Sequence, residues 1–166
     1  MDTESAHAIM SRVLETNEFN EISRWLRNLD GGSRIEFLIC WCDNRAIWRL
    51  ATSTINKRDE AREFLVHMLN RIDLADSQKT KHCVEFGVAK IGARRVIAEI
   101  ASRIDSQPHV VDMAVYHLKG ILRNDGSGRE ELDNLTKAAQ DKGILRPAVS
   151  ETRPDGTVVF KDRYGD

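Results

Sequence analysis

Four groups of residues in this sequence have the types and spacing of working chemistry. The first is Gly87-Val-Ala-Lys-Ile-Gly92, whose glycines are spaced as in a phosphate-cradling loop. Ala93-Arg94 stands where a lysine and a serine or threonine would reach phosphate and magnesium, and the surroundings read as helix. These glycines are therefore read as helix-packing positions. The second group is thiols and imidazoles. Cys40 and Cys42 flank Trp41, and on a helix a two-residue step turns their side chains about 200° apart, so they cannot share one ion. Both are read as buried thiols. Glu63 and His67 have ligand spacing but lack the second histidine of a zinc-protease helix, so an ion pair is expected. His109, Asp112 and His117 fall on one helix, where His117 alternates with apolar residues and is read as a half-buried, hydrogen-bonded imidazole. No catalytic residue, metal ligand or cofactor site follows from these patterns, and the expectation is a protein that is not an enzyme.

The third group is basic. Lys57, Arg58 and Arg62 open one helix, Lys79, Lys81 and His82 open another, and Lys90, Arg94 and Arg95 surround a helix joint. If those helices stack, their ends form one basic strip for phosphates or acidic side chains. Arg95, Glu99 and Arg103 also alternate in sign at four-residue spacing, as a salt-bridged solvated face does. The fourth group is aromatic. Trp25 lies on an apolar stripe, whereas Trp41 and Trp48, seven apart, share a face if their segment is one helix, and such residues anchor either cores or interfaces. Arg62, Lys90, Arg94, Arg95, Trp41 and Trp48 are the candidate partner-binding residues.

The elements that must position these groups are helical. All three prolines, Pro108, Pro147 and Pro154, follow residue 107, and only Gly31, Gly32, Gly87 and Gly92 interrupt the first 107 residues. Apolar residues recur at helical spacing: Ala6, Ile9, Met10, Val13, Leu14; then Ile22, Trp25, Leu26, Leu29; then Ala61, Phe64, Leu65, Met68, Leu69, Ile72. Gly31-Gly32 is predicted to end the second helix in a left-handed turn, with Ser33 and Glu36 forming a capping box for the next. Residues 33–54 read as one helix or two, with a break favoured near Asp43-Asn44. Asp76-Ser77, Gln107-Pro108 and Ser127 with Glu130 mark three further starts. The helices from Ser77 to Ile91 and from Pro108 to about Arg123 carry apolar residues on more than one face and are predicted to form the centre of the core. After Gly143 the period changes, and Arg153-Pro154-Asp155-Gly156 between two β-prone runs predicts a small hairpin. Residues 1–143 thus form a helical domain and residues 144–166 a hairpin with a polar tail.

Composition sets the outer bounds. The chain has 166 residues, of which Leu, Ile, Val and Phe make up 42, enough for a core of its own without disulfide or metal staples. Its 25 basic and 26 acidic residues nearly cancel, which argues against a dedicated polyanion binder. The longest apolar run is the six residues from Phe37 to Cys42, against the roughly 18 a membrane helix needs, so no membrane span is expected. An acidic N-terminus and an odd number of cysteines, three, predict a cytoplasmic protein.

The stretch from Val84 through Ile100, continuing through Ser106-Gln107-Pro108 into Val111-Asp-Met-Ala-Val-Tyr-His-Leu118, resembles HEAT-type helical repeats of the armadillo-like superfamily. Val84, Gly87, Val88 and Ile91 return 27 positions later as Val111, Ala114, Val115 and Leu118. The resemblance covers mainly residues 77–123. It implies an all-α fold of antiparallel helix pairs, an α-solenoid or bundle, presenting a broad binding face. On that basis the expected function is a protein-protein interaction or adaptor module with a macromolecular protein partner. The alternative is a nucleic-acid-binding protein. The last helix, Lys142-Gly143-Ile144-Leu145 and the hairpin together resemble the final helix and wing of winged-helix DNA-binding domains, which would make Arg146, Arg153 and Lys161 phosphate contacts. Glu130, Glu131 and Asp133 at the start of that helix depart from the pattern. The edge of the hairpin is a candidate for homo-oligomer formation by strand pairing.

Overall fold

A computed structural model describes residues 1–11, 15–44, 46–72, 76–123, 126–145, 150–152 and 158–160. Among these the protein is helical: α1 (Thr3–Met10), α2 (Thr16–Asn28), α3 (Gly31–Cys40), α4 (Ile47–Thr54), α5 (Arg58–Leu69), α6 (Ser77–Ile91), α7 (Ala93–Ala101), α8 (Pro108–Ile121) and α9 (Arg129–Asp141). Two three-residue segments, β1 (Ser150–Thr152) and β2 (Val158–Phe160), pair antiparallel with Ser150 opposite Phe160. The Pro-Asp-Gly turn and the wing cations Arg146, Arg153 and Lys161 lie outside the described residues. No described helix is long and apolar enough to cross a membrane.

Several starts follow from local chemistry. Asp76 accepts from the Lys79 backbone N–H at 2.7 Å, satisfying one of the donors a first turn leaves bare, and Pro108 opens α8 with its fixed φ. Two expected boundaries differ. Gly31 and Gly32 are the first residues of α3, neither has positive φ, and the cap is Asp30, which accepts from Ser33 N–H at 3.0 Å and from Ser33 Oγ at 2.7 Å. A carboxylate placed three residues before Ser33 takes that amide, so Ser33 becomes the capped residue rather than the cap. Likewise α9 is preceded by Gly128 in the left-handed region at φ 81°, with Ser127 outside the helix. A Cβ at Gly128 would sit 3.2 Å from Ala93 Cβ, which shows why the smallest residue stands there.

The expected break between residues 33 and 54 is present: α3 ends at Cys40 and α4 begins at Ile47. α6 and α8 form the centre of the core as predicted. α6 touches α4, α5, α7 and α8, and Cys83, Val84, Phe86, Val110, Val111, Ala114 and Leu118 are buried along these two helices. Each large apolar side chain so buried contributes about 1.5–3 kcal/mol. Gly87 lets the helices close: a Cβ there would stand 2.7 Å from Val96 Cγ2 of α7 and 3.0 Å from Leu65 Cδ2 of α5. The 27-residue correspondence also falls on packed positions, since Val84, Gly87 and Ile91 of α6 and Val111, Ala114, Val115 and Leu118 of α8 are all buried, and Val88 is half-buried. Ile144 and Leu145, beyond the expected boundary at residue 143, still pack against the helical core.

One buried ion pair ties the N-terminal helices to the rest. Arg34 of α3 donates through Nε to the Leu26 carbonyl at 2.8 Å and through Nη2 to the Leu29 carbonyl at 2.7 Å, and its Nη1 lies 2.5 Å from Glu60 Oε2 of α5. The guanidinium fork thereby satisfies the carbonyls left bare at the end of α2 while neutralising a carboxylate on a third helix.

Candidate interaction face

One face of the described residues carries an open groove of about 1110 Å³. Its lining comes from α2 (Phe19), from α4 (Trp48, Arg49, Thr52, Ser53), from the start of α6 (Gln78, Lys79, His82, with its cap Asp76) and from the α3–α4 connection. The amphipathic pattern of α4 explains this side. Ile47, Leu50, Ala51 and Thr54 are buried, which leaves Arg49 and Thr52 exposed on the opposite face.

Trp48 forms the floor, only 9% exposed, with its ring 5.8 Å from Phe64, 6.3 Å from Phe86 and 5.6 Å from the His82 ring. At one rim the Arg49 guanidinium lies 4.5 Å over the Phe19 ring, a cation–π contact between α4 and α2. Arg27 of α2 donates twice to the Ser53 carbonyl, at 3.2 and 3.1 Å, which fixes the spacing of the same two helices. At the other rim Lys79 Nζ lies 2.5 Å from Asp43 Oδ1 and 3.6 Å from Asp76 Oδ2. The hydrogen bond from Lys79 holds the Asp43 carboxyl below its usual range, and the same bond raises the Lys79 ammonium above its own. This rim therefore keeps its charges at neutral pH. The groove thus has an aromatic floor bordered by an ammonium held between two carboxylates.

The sequence-derived candidates fall in several places. Trp41 and Trp48 do not share a face, because the helix breaks between them. Trp41 ends α3 half-buried, donating through Nε1 to His7 Nδ1 at 2.9 Å, and Trp48 alone lines the groove. Trp25 is half-buried, edge-on to Phe37 at 4.9 Å. The basic strip is partly neutralised. Arg62 of α5 pairs with Glu99 of α7, and Arg94 Nε lies 2.9 Å from Glu131 Oε1 of α9. Arg95 is exposed and reaches back to the Ile91 carbonyl at 3.4 Å, while Lys90 stands half-buried two residues before the joint at Gly92. Glu99 also faces Arg103 at 3.6 Å, but the expected solvated face is only partly so: Arg95 is exposed, whereas Arg103 is buried and the side chain of Glu99 is largely covered, because Arg62 of α5 and its cap Asn70 pack against them.

The remaining candidates are dispersed. Cys40 is exposed and Cys42 half-exposed, contrary to the expected burial, because they lie at and just past the end of α3 where the chain turns outward. Cys83 is buried, and burial pushes its thiol pKa up. Glu63 and His67 are both exposed. His117 is half-buried, as read, with Nε2 3.1 Å from the Ser77 carbonyl. His109 Nε2 lies 3.3 Å from the Ile72 carbonyl, on a different element. Among the described residues no three His, Cys, Asp or Glu side chains are grouped as metal ligands would be.

The sequence pointed at Trp48, Lys79 and His82 but missed the groove they share with Phe19, Asp43, Arg49 and Thr52. The available signal was the polar face of α4, Arg49, Thr52 and Ser53, opposite its apolar residues. Comparison of the chain with protein-family models, curated proteins and solved structures finds no match.

Proposed function

We propose that this protein is a helical-repeat interaction module that binds a protein partner along the α2–α4–α6 groove. The observation that carries the reading is the groove's lining: its helical residues come from alternate helices, α2, α4 and α6, as a repeat array's binding face does. The helix contacts support the same arrangement. Of the substantial ones, α2 with α4, α4 with α6, α6 with α8, α3 with α5 and α7 with α9 join alternate helices, and the others, α5 with α6 the most extensive, join chain neighbours. Such a short-range contact map is expected of stacked helix pairs in a HEAT-like solenoid. Trp48 and Arg49 are the residue types that anchor interfaces, and the Asp43–Lys79–Asp76 rim supplies orientation. Partner binding along this face requires no catalytic residue.

Nucleic acid is the weaker reading, since Arg62 and Arg94 already meet carboxylates and a duplex would have to displace them. Affinity capture with and without nuclease, using purified variants, tests both. A protein partner that survives nuclease, is lost with Arg49→Glu plus Thr52→Arg, and is retained with Arg94→Glu plus Arg95→Glu supports the groove. Retention in the groove variant, or loss only on nuclease treatment, refutes it.

A further inference from the structure

On the far flank of α6 the next crevice along the chain, between α6 and α8, holds a second pocket of about 540 Å³ lined by Lys81, Tyr116, His117, Lys119, Gly120 and Ile121. Its size lies within the range of small-molecule sites. Tyr116 is 38% exposed, one of two large hydrophobic residues so exposed among those described. Lys81 and Lys119 stand exposed on the two helices, and neither has a carboxylate partner among the described residues. His117 Nε2 lies 3.0 Å from Ser77 Oγ and 3.1 Å from the Ser77 carbonyl, which fixes the ring as a wall.

Gly120 supplies the independent observation. It sits in the last turn of α8, one residue before the helix ends at Ile121, where glycine still costs up to about 1 kcal/mol relative to alanine. Gly87 earns its place by close packing and Gly92 and Gly128 by positive φ, but Gly120 has neither reason: its φ is not positive, and a Cβ there would meet nothing within 4 Å. What a side chain at 120 would fill is the pocket itself. A helix residue without a packing or conformational reason, lining a pocket, is where a ligand's body has room.

We propose that this pocket binds a small organic anion, with an acidic head group between Lys81 and Lys119 and an aromatic or short aliphatic body against Tyr116 and Ile121 over Gly120. Two unpaired ammonium groups flank an apolar wall, so the head and body are recognised together. The site is separate from the α2–α4–α6 groove and stands or falls independently of it.

The test is an amide-resolved NMR titration with phenyl phosphate, with inorganic phosphate and benzyl alcohol as head-only and body-only probes. Saturable shifts at Tyr116 and Gly120 with phenyl phosphate, at least roughly tenfold tighter than with either fragment, are expected. Gly120→Leu starts a side chain whose Cβ meets no neighbour and extends it into the pocket, so it should fold at least as stably and weaken binding more than about tenfold. Lys81→Gln with Lys119→Gln, both surface changes, should weaken it several-fold and remove its salt dependence. Unchanged affinity in Gly120→Leu or in the double variant, or shifts with inorganic phosphate alone, overturns the proposal. An acetylated tripeptide ending in a phenylalanine carboxylate separates the sources. Weaker binding than phenyl phosphate supports a free organic anion, and tighter binding reassigns the pocket to a partner's chain terminus.

Discussion

Replacing Arg34 by methionine removes the fork that joins α2, α3 and α5. The stem volume is kept, but Glu60, whose side chain is 11% exposed, loses its buried partner, and the Leu26 and Leu29 carbonyls lose their donors. Breaking a buried pair from one side costs about 3–5 kcal/mol because the other charge stays buried. Lys57 Nζ lies 3.5 Å from Glu60 Oε1 and offsets part of this, which places the expected loss at about 3 kcal/mol. In a chain of 166 residues that corresponds to a fall in melting temperature of about 6–12 °C. Urea unfolding followed by far-ultraviolet circular dichroism, at constant slope, measures it directly. Arg34→Met with Glu60→Leu removes both charges and should recover more than half of the loss, since no orphaned carboxylate remains. A single-variant loss under about 1 kcal/mol, or a double variant no more stable than the single, would refute the reasoning.

Three other outcomes follow from burial and packing. Gly87→Ala should destabilise by about 1–2 kcal/mol in urea unfolding, because overpacking against Val96 and Leu65 exceeds the helix-propensity gain; a more stable variant would contradict the close approach. Iodoacetamide labelling read by mass spectrometry should modify Cys40 first, Cys42 more slowly, and Cys83 only on unfolding, and rapid native labelling of Cys83 would show that α6 is not packed as described. Burial lowers the His117 pKa below its ordinary 6.5, with Lys81 adding to the effect, so the unfolded chain takes up this proton first on acidification. The stability that depends on a neutral His117 is fully present above pH 6.5 and is lost as pH falls toward the folded-state pKa. His117→Gln should flatten that slope, and an identical pH profile in the variant would exclude the residue as its source.

Local chemistry was legible in the sequence wherever it acts over a few residues. The starts of α6 at Asp76 and α8 at Pro108, the break after Cys40, and the two central helices all follow from capping, proline geometry and apolar period, which act within a turn or two. Caps resting on a choice between two capable residues within one turn were misread, as when Asp30 rather than Ser33 closed the first turn of α3. Two carboxylate oxygens gave it the reach to take both the amide and the hydroxyl of Ser33.

Tertiary structure alone decided which long-range partners meet. Arg34 gives no signal in the sequence that separates it from any helical arginine, yet it is the buried junction of three helices, because its partner Glu60 is 26 residues away on α5. The basic strip was legible as residue types, but its neutralisation required Glu99 and Glu131 to be carried to Arg62 and Arg94 by the packing of α5, α7 and α9. Both concavities exist only between helices, and period and composition describe one helix at a time. Even Gly120 reads in the sequence as a tolerated helix glycine; only the empty space beside it in the folded protein distinguishes it from Gly87, where the space is filled.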